Sequence, residues 1–105
     1  MATYLFEGSY TAEGTKGLLH EGASGRRAAL DEMFRGLGGK LIEMYYAFGS
    51  VDVYLIAELP DNVSAAAVAL AVNHSGRATT KTVVLLSVEE MDKAAHKSVS
   101  YRPPS

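Results

Sequence analysis

The segment from Lys40 to Leu59 reads KLIEMYYAFGSVDVYLIAEL, and it is the strongest structural signal in the chain. Two strand-like runs flank Gly49-Ser50, and glycine at the first position of a two-residue turn suits a type II′ hairpin. The odd positions from Val51 to Leu59 are all apolar, whereas the even positions between them are mixed. Because side chains alternate across a strand, this pattern predicts a hairpin with one face turned toward helices.

Matching elements lie on both sides of the hairpin. An aromatic run of period two precedes it, and apolar residues from Leu30 to Leu37 recur at helical spacing. An alanine- and valine-rich helix and a β-branched strand follow it, and Ser87 and Glu90 have the spacing of a capping box. The predicted elements are strand 3–10, a short helical turn near 12–20, a helix capped by Ser24 and ended by Gly38-Gly39, strands 40–48 and 51–59, helix 64–74, strand 78–87 and helix 88–97.

This order of elements predicts an α+β fold of the ferredoxin-like, split β-α-β kind. The order β-α-β-β-α-β forms a four-stranded antiparallel sheet, and right-handed crossovers place both main helices on one face. A chain of 105 residues has room for one domain, which we assign to residues 1–97. Residues 98–105 are predicted to be a flexible tail.

The helix-free face of the predicted sheet carries more apolar surface than a monomer usually exposes to water. Its register on the first strand is open, because either the pair Tyr4 and Phe6 or the pair Leu5 and Glu7 occupies it. With either pair, large side chains from the hairpin strands share the same face and enlarge its apolar area. We therefore expect a homodimer in which two such faces pack across a two-fold axis and enclose a cavity.

The composition argues against several classes of partner. Ten basic and twelve acidic residues give a formal charge of −2, so neither nucleic acid nor a membrane surface is expected to bind. Cysteine is absent and the three histidines have no metal-ligand spacing, so no metal is expected. No phosphate-binding loop is present, which predicts no cofactor. Without a basic and apolar leader, the sequence predicts a cytoplasmic protein.

The candidate site residues come from the sheet, the hairpin and the glycine-rich loop. A carboxylate such as Asp52 orients a ligand amine or acts as a base, or it bonds the backbone amides of its own turn. His20 is either a general base or haem ligand, or a surface histidine. Tyrosines on strands either form hydrogen bonds with a ligand in a cavity or pack in the core and the interface. The catalytic candidates are His20, Asp52 and Tyr54, and the candidate ligand-binding residues are Tyr4, Phe6, Glu43, Tyr45, Asp52 and Tyr54.

Several short motifs resemble the GYD-domain family. They are Met1-Ala2-Thr3-Tyr4, Thr11-x-x-Gly14-x-Lys16, Leu37-Gly38-Gly39-Lys40 before Glu43-x-Tyr45, and Phe48-Gly49-Ser50-Val51-Asp52. The tyrosine that gives the family its name is replaced here by Val51. The resemblance implies a dimeric α/β barrel without an established activity. The hairpin also looks like a turn in the effector-binding domains of Lrp/AsnC-type regulators, which bind small molecules between subunits.

Three functions are compatible with these patterns. The first is a homodimeric domain that binds a small, partly apolar molecule in a cavity between the sheet and the dimer partner. The second is a cofactor-free enzyme, similar to a monooxygenase or an isomerase or cyclase, that acts on an aromatic or polyketide-like substrate. The third is a purely structural dimerisation subunit.

Overall fold

The computed structural model describes all of residues 1–105 and confirms the predicted fold class. Four antiparallel strands form one sheet in the spatial order second, third, first and fourth, which is the ferredoxin-like arrangement. No helix is long and apolar enough to cross a lipid bilayer. The elements are β1 (Ala2–Tyr10), α1 (Ala12–Glu21), α2 (Ala23–Gly36), β2 (Lys40–Tyr46), β3 (Val53–Leu59), α3 (Asn62–His74), β4 (Ala78–Leu85) and α4 (Val88–Ala95).

The pairing of β1 with its two neighbours settles which of its side chains face the helices. Leu5 lies opposite Ile56 of β3 and Val83 of β4, so these three residues share the helix-free face. Tyr4 and Phe6 point the other way and are 1% and 2% exposed. The helix-free face therefore carries Leu5 and Glu7, and the expectation that Tyr4 and Phe6 line a cavity there is corrected.

The hydrophobic core lies between the sheet and helices α1 to α3. The alternating residues Val53, Leu55, Ala57 and Leu59 of β3 are all buried, as the pattern predicted. Phe34 of α2 is fully buried. Its ring centroid lies 5.6 Å from that of Phe6 in a tilted arrangement. Burying a side chain of this size contributes about 1.5–3 kcal/mol, so this face holds the sheet and helices together.

The hairpin connection is longer than the sequence predicted. The strands end at Tyr46 and resume at Val53, so the loop spans 47–52 in place of a two-residue type II′ turn. The Ala47 amide donates to the Asp52 carbonyl at 2.8 Å, while the Asp52 amide donates to the Gly8 carbonyl of β1 at 2.9 Å. The first bond continues the pairing of β2 with β3 by one residue, and the second ties the same point of the chain to β1, so the open part of the connection is 48–51.

The glycine-rich segment after β1 folds as two helices. Thr11 caps α1, and its side chain accepts from the Gly14 amide at 3.2 Å. Gly22, with φ +83°, separates α1 from α2 in a conformation that suits glycine. The predicted cap Ser24 lies within α2, whose N-cap is Gly22. The tight break at Gly22 leaves no room for a loop and moves the helix start ahead of Ser24.

The last helices are less covered than the sheet. Asp61 caps α3 through the Ser64 amide at 2.8 Å, but Val63 and Leu70 of this helix are 78% and 71% exposed. Helix α4 has the predicted Ser87–Glu90 capping box, and every residue from Leu86 to Ser105 is exposed. The radius of gyration is 16.5 Å, against about 13 Å for a compact chain of this length. The C-terminal segment therefore projects from the domain.

Candidate functional site

A cavity of ligand size lies between the sheet and the helices. Its volume is about 490 Å³, and 11 of the 19 residues that line it are hydrophobic. The sheet supplies one wall and helices α1, α2 and α3 supply the other. The apolar lining includes Phe6, Leu30, Met33, Leu55, Val68 and Val72. We refer to this space as the helix-side cavity.

Backbone contacts fix the position of α1 at one end of the helix-side cavity. The Thr11 amide donates to the Arg77 carbonyl at 3.0 Å, and the Thr11 hydroxyl donates to the Gly76 carbonyl at 2.9 Å. Gly14 lies so close to the Arg77 carbonyl that a Cβ atom would overlap it. These contacts join the start of α1 to the turn between α3 and β4, so Gly14 and Arg77, which both line the cavity, are held by backbone contacts.

The polar lining residues include Arg26, Glu21 and Arg77. Arg26 Nε is buried and lies 3.2 Å from Glu21 Oε1, yet it makes no hydrogen bond. The carboxylate oxygen lies within ion-pair distance but outside the direction of the N–H bond. Nε is covered by neighbouring atoms, but the Arg26 side chain is 37% exposed, so its terminal N–H groups are free to bind an acceptor.

Tyr10 is a half-buried phenol at the same part of the cavity lining. Burial raises its pKa well above the ordinary value for tyrosine, and a hydrogen bond with the Tyr46 hydroxyl raises the pKa further. The positive charge of Arg26 opposes this rise and the negative charge of Asp52 adds to it. Tyr10 is therefore a neutral hydroxyl group at physiological pH.

The structure gives Asp52 a backbone partner. Its Oδ2 atom accepts from the Tyr10 amide at 2.8 Å, at the end of β1. One of the two roles predicted for Asp52 was a bond from its carboxylate to the backbone amides of its own turn. The observed bond instead reaches the neighbouring strand β1. Asp52 is not among the residues that line the helix-side cavity. Its carboxylate joins the hairpin to β1 and positions Tyr10.

The other candidate ligand-binding residues occupy opposite sides of the sheet. Tyr45 and Tyr54 are cross-strand partners on the helix-free face, and Glu43 lies two residues before Tyr45 on the same strand. Tyr4 belongs to the core and donates a hydrogen bond to Asn62 Oδ1 at 2.6 Å. Of the six candidates, Phe6 alone lines the helix-side cavity. The set is thus divided between two surfaces.

The three catalytic candidates are not brought together. His20 is exposed on α1, Asp52 bonds to the end of β1, and Tyr54 lies on the helix-free face. His20 does not line the helix-side cavity. No group of three or more histidine, aspartate or glutamate side chains is placed to hold a metal ion.

The helix-free face combines apolar and charged side chains. Tyr45 is 63% exposed and Val83 is 40% exposed. Glu7 lies opposite Lys81 on β4, and Lys40 Nζ lies 3.9 Å from Glu58 Oε1. A second cavity of about 420 Å³ opens beside the hairpin and is lined mainly by polar residues, which include Glu7, Ser9, Ser50 and Lys81.

Sequence reasoning missed Arg26 as a site residue. In the sequence, Arg26, Arg27 and Arg35 lie beside Asp31 and Glu32 at helical spacings, which predicts a solvated, self-paired face. Arg35 fits that prediction, because its Nε lies 2.8 Å from Asp31 Oδ2, and Arg27 is exposed. Arg26 instead turns toward Glu21 across the Gly22 break. Residue spacing within a single helix does not reveal this contact. The only signal in the sequence was Gly22, which allows one helix to end and the next to begin.

The fold and the cavity together define a small α+β domain of the ferredoxin-like class with a ligand-sized space between its sheet and helices. The GYD domain family model matches residues 4–95 of the 105-residue chain, and the chain belongs to that family. No curated protein and no solved structure matches the chain.

Proposed function

We propose that the chain is a homodimeric small-molecule-binding domain in which each subunit holds a mostly apolar ligand in the helix-side cavity. The observation that carries this proposal is the cavity itself. Its volume of about 490 Å³ falls within the roughly 300–1,000 Å³ of small-molecule sites, and its lining is mainly apolar with a few polar groups. This proposal places the ligand on the opposite side of the sheet from the between-subunit cavity that the sequence predicted.

The helix-side cavity is a cleft partly open to solvent, and it leaves apolar side chains beside the core uncovered. Leu30, Met33 and Val72 pack against the core but are only partly buried. A bound apolar molecule would cover the surface that these side chains leave open, and each additional 100 Å² of apolar area buried is worth roughly 2.5 kcal/mol before binding costs.

The proposed dimer interface is the helix-free face. Leu5, Ile56, Tyr45, Tyr54 and Val83 share this face, as the strand registers require. Four strands of this length cover roughly 500 Å² of flat sheet area, which is less than the roughly 800 Å² per partner of a standard interface. A stable dimer therefore needs a further contact area from the same chain.

Helix α4 supplies such an area. Val88, Met91, Ala94 and Ala95 lie on one half of its circumference, and its four charged residues lie on the other half. An isolated helix of eight residues is marginal in water, because helix formation needs about 12–15 residues or tertiary contacts. We propose that α4 packs against the second copy beside the helix-free face. A two-fold axis would then cover both exposed surfaces of each chain.

Fluorescence of N-phenyl-1-naphthylamine, a neutral probe that brightens in apolar sites, tests the ligand site. Ala71 and Ala66 are both exposed on α3, but only Ala71 lines the cavity. Ala71→Trp fills part of the cavity and is expected to weaken probe binding at least about tenfold, while the matched variant Ala66→Trp binds like the original chain. Equal probe binding by all three proteins would place the probe elsewhere and refute the proposed site.

The cavity expected between subunits stays a prediction. The second cavity, which includes Glu7 and Lys81 in its lining, supports it because the lining lies partly on the proposed dimer face. A structure of the dimer would show whether a second sheet closes this space or fills it.

A further inference from the structure

We infer that the helix-side cavity is built for an amphiphilic carboxylate, with the carboxylate bound at Arg26 beside Tyr10 and an apolar body held against Leu30, Met33 and Val72. This inference rests on the proposed function and names the chemical class of the ligand.

The first step is the unused hydrogen-bonding capacity of Arg26. Its Nε atom is buried without a hydrogen-bond partner, although Glu21 Oε1 lies 3.2 Å away. A guanidinium group carries five N–H donors in a planar fork that matches a carboxylate, and a charged donor and acceptor bind more strongly than neutral ones. Because Nε is covered by neighbouring atoms, a ligand carboxylate would bind the terminal N–H groups of Arg26, whose side chain is 37% exposed.

The second step is the charge of the lining. Arg26 and Arg77 are cationic, and Glu21 is the only acidic side chain among the lining residues. Asp52 is close to Tyr10, but its Oδ2 accepts from the Tyr10 amide and it does not line the cavity. The lining therefore carries one more positive than negative charge, which favours an anion over a cation.

The third step is the neutral phenol beside this charge. Tyr10 and Arg26 both line the cavity, and the charge of Arg26 acts on the Tyr10 hydroxyl. The single O–H group of Tyr10 donates to Tyr46, so Tyr10 is a neutral polar neighbour of the ligand carboxylate, and Arg26 supplies the donors. The remaining lining is mainly apolar, so a single charged group fits at one end and an uncharged body fits along the rest.

Displacement of bound N-phenyl-1-naphthylamine by decanoate and by 1-decanol tests this inference. The two compounds have the same chain length, and at about pH 8 only the carboxylate is ionised. An apolar cavity without a charged partner would favour the alcohol strongly, because burying an unpaired carboxylate is costly. We expect decanoate to displace the probe at the same concentration as 1-decanol or at a lower one. A preference for 1-decanol by more than about tenfold would overturn the inference.

Arg26→Gln identifies the residue responsible, and Arg27→Gln is its matched control on the adjacent exposed position. We expect Arg26→Gln to weaken decanoate about tenfold and 1-decanol less than about twofold, because a charge-assisted hydrogen bond is lost only with the anion. Arg27→Gln should change neither. Equal decanoate binding by the two variants, with the same circular dichroism spectrum, would overturn the assignment.

Glu21→Gln gives a result in the opposite direction. Removal of the carboxylate that competes for Arg26 should strengthen decanoate binding, and weaker decanoate binding would contradict the inferred role of Arg26. The outcomes also separate the two proposals. If Ala71→Trp leaves probe binding unchanged, the cavity is not the binding site and the proposed function fails. If Ala71→Trp abolishes probe binding but Arg26→Gln leaves decanoate binding unchanged, only the carboxylate assignment fails.

Discussion

The Asp52 carboxylate accepts a hydrogen bond from the backbone amide of Tyr10, and the two atoms lie 2.8 Å apart. This bond joins the exit of the β2–β3 loop to the last residue of β1, 42 positions earlier in the chain. The Asp52 amide makes a second connection to β1 through the Gly8 carbonyl. A residue that appears in the sequence as a candidate base is therefore part of the framework that orients Tyr10 at the cavity.

Replacement of Asp52 distinguishes a structural carboxylate from a ligand-binding one. Asp52→Ala should lower the free energy of unfolding by about 1–3 kcal/mol, because the partly buried Tyr10 amide loses its acceptor. Asp52→Asn keeps an acceptor oxygen and should lose less. Urea unfolding measures both changes, and an alanine variant as stable as the original chain would contradict the structural role.

The stability of the chain should fall at high pH because of Tyr10. Burial raises its folded-state pKa above the unfolded value of about 10, so between these pKa values the unfolded state binds fewer protons than the folded state. The stabilisation is complete below about pH 10 and is lost as the pH rises toward the folded pKa. Tyr10→Phe should show a smaller loss of unfolding free energy over this range. An identical pH profile for the two proteins would contradict the assigned environment.

Two glycines of α1 should respond to alanine in opposite ways. At Gly14 a Cβ atom would overlap the Arg77 carbonyl and lie 2.8 Å from its carbon, so Gly14→Ala should cost more than about 2 kcal/mol. At Gly17 an added Cβ atom would have no neighbour within 4 Å other than the backbone of its own helix. Gly17→Ala should therefore stabilise the helix by about 0.5–1 kcal/mol. Thermal unfolding of both variants checks the difference, and a tolerated alanine at Gly14 would show that the start of α1 is not closely held.

Removal of α4 should weaken the proposed dimer more than removal of the tail alone. A chain that ends at Leu86 loses the apolar side of α4, whereas a chain that ends at Lys97 keeps the helix and loses only the irregular tail. Sedimentation velocity over a concentration series should show a dimer dissociation constant raised at least about tenfold in the first protein and unchanged in the second. Equal dissociation constants would remove α4 from the interface.

A charge on the helix-free face should prevent the proposed dimer without unfolding the subunit. Tyr54 is only partly exposed at the centre of this face, and Tyr54→Lys would place an ammonium group between the two sheets. Leu70→Lys, on the exposed side of α3, is the control. Only the first variant should sediment as a monomer at micromolar concentration. A monomeric original chain would refute the interface directly.

Local patterns predicted the elements with good accuracy but not their connections. The alternation in β3 and the Ser87–Glu90 spacing were sufficient to assign a buried strand face and a capped helix, since both depend on residues close in sequence. The two-residue turn was wrong, because β2 ends at Tyr46 and β3 begins at Val53, and the Asp52 amide is held by the carbonyl of Gly8, a contact distant in sequence. The Ser24 cap was wrong because Gly22 permits a left-handed break between two helices.

The candidate site shows the same division between near and distant contacts. The sequence by itself determined the periods of the strands and helices, and hence a four-stranded sheet with one face under helices, because backbone geometry converts local pattern into structure. The side of the sheet reached by Tyr4 and Phe6, the approach of Arg26 to Glu21 and the space enclosed beside Tyr10 were decided by packing in three dimensions. They depend on strand register and on helix positions set by distant residues, which no local pattern records.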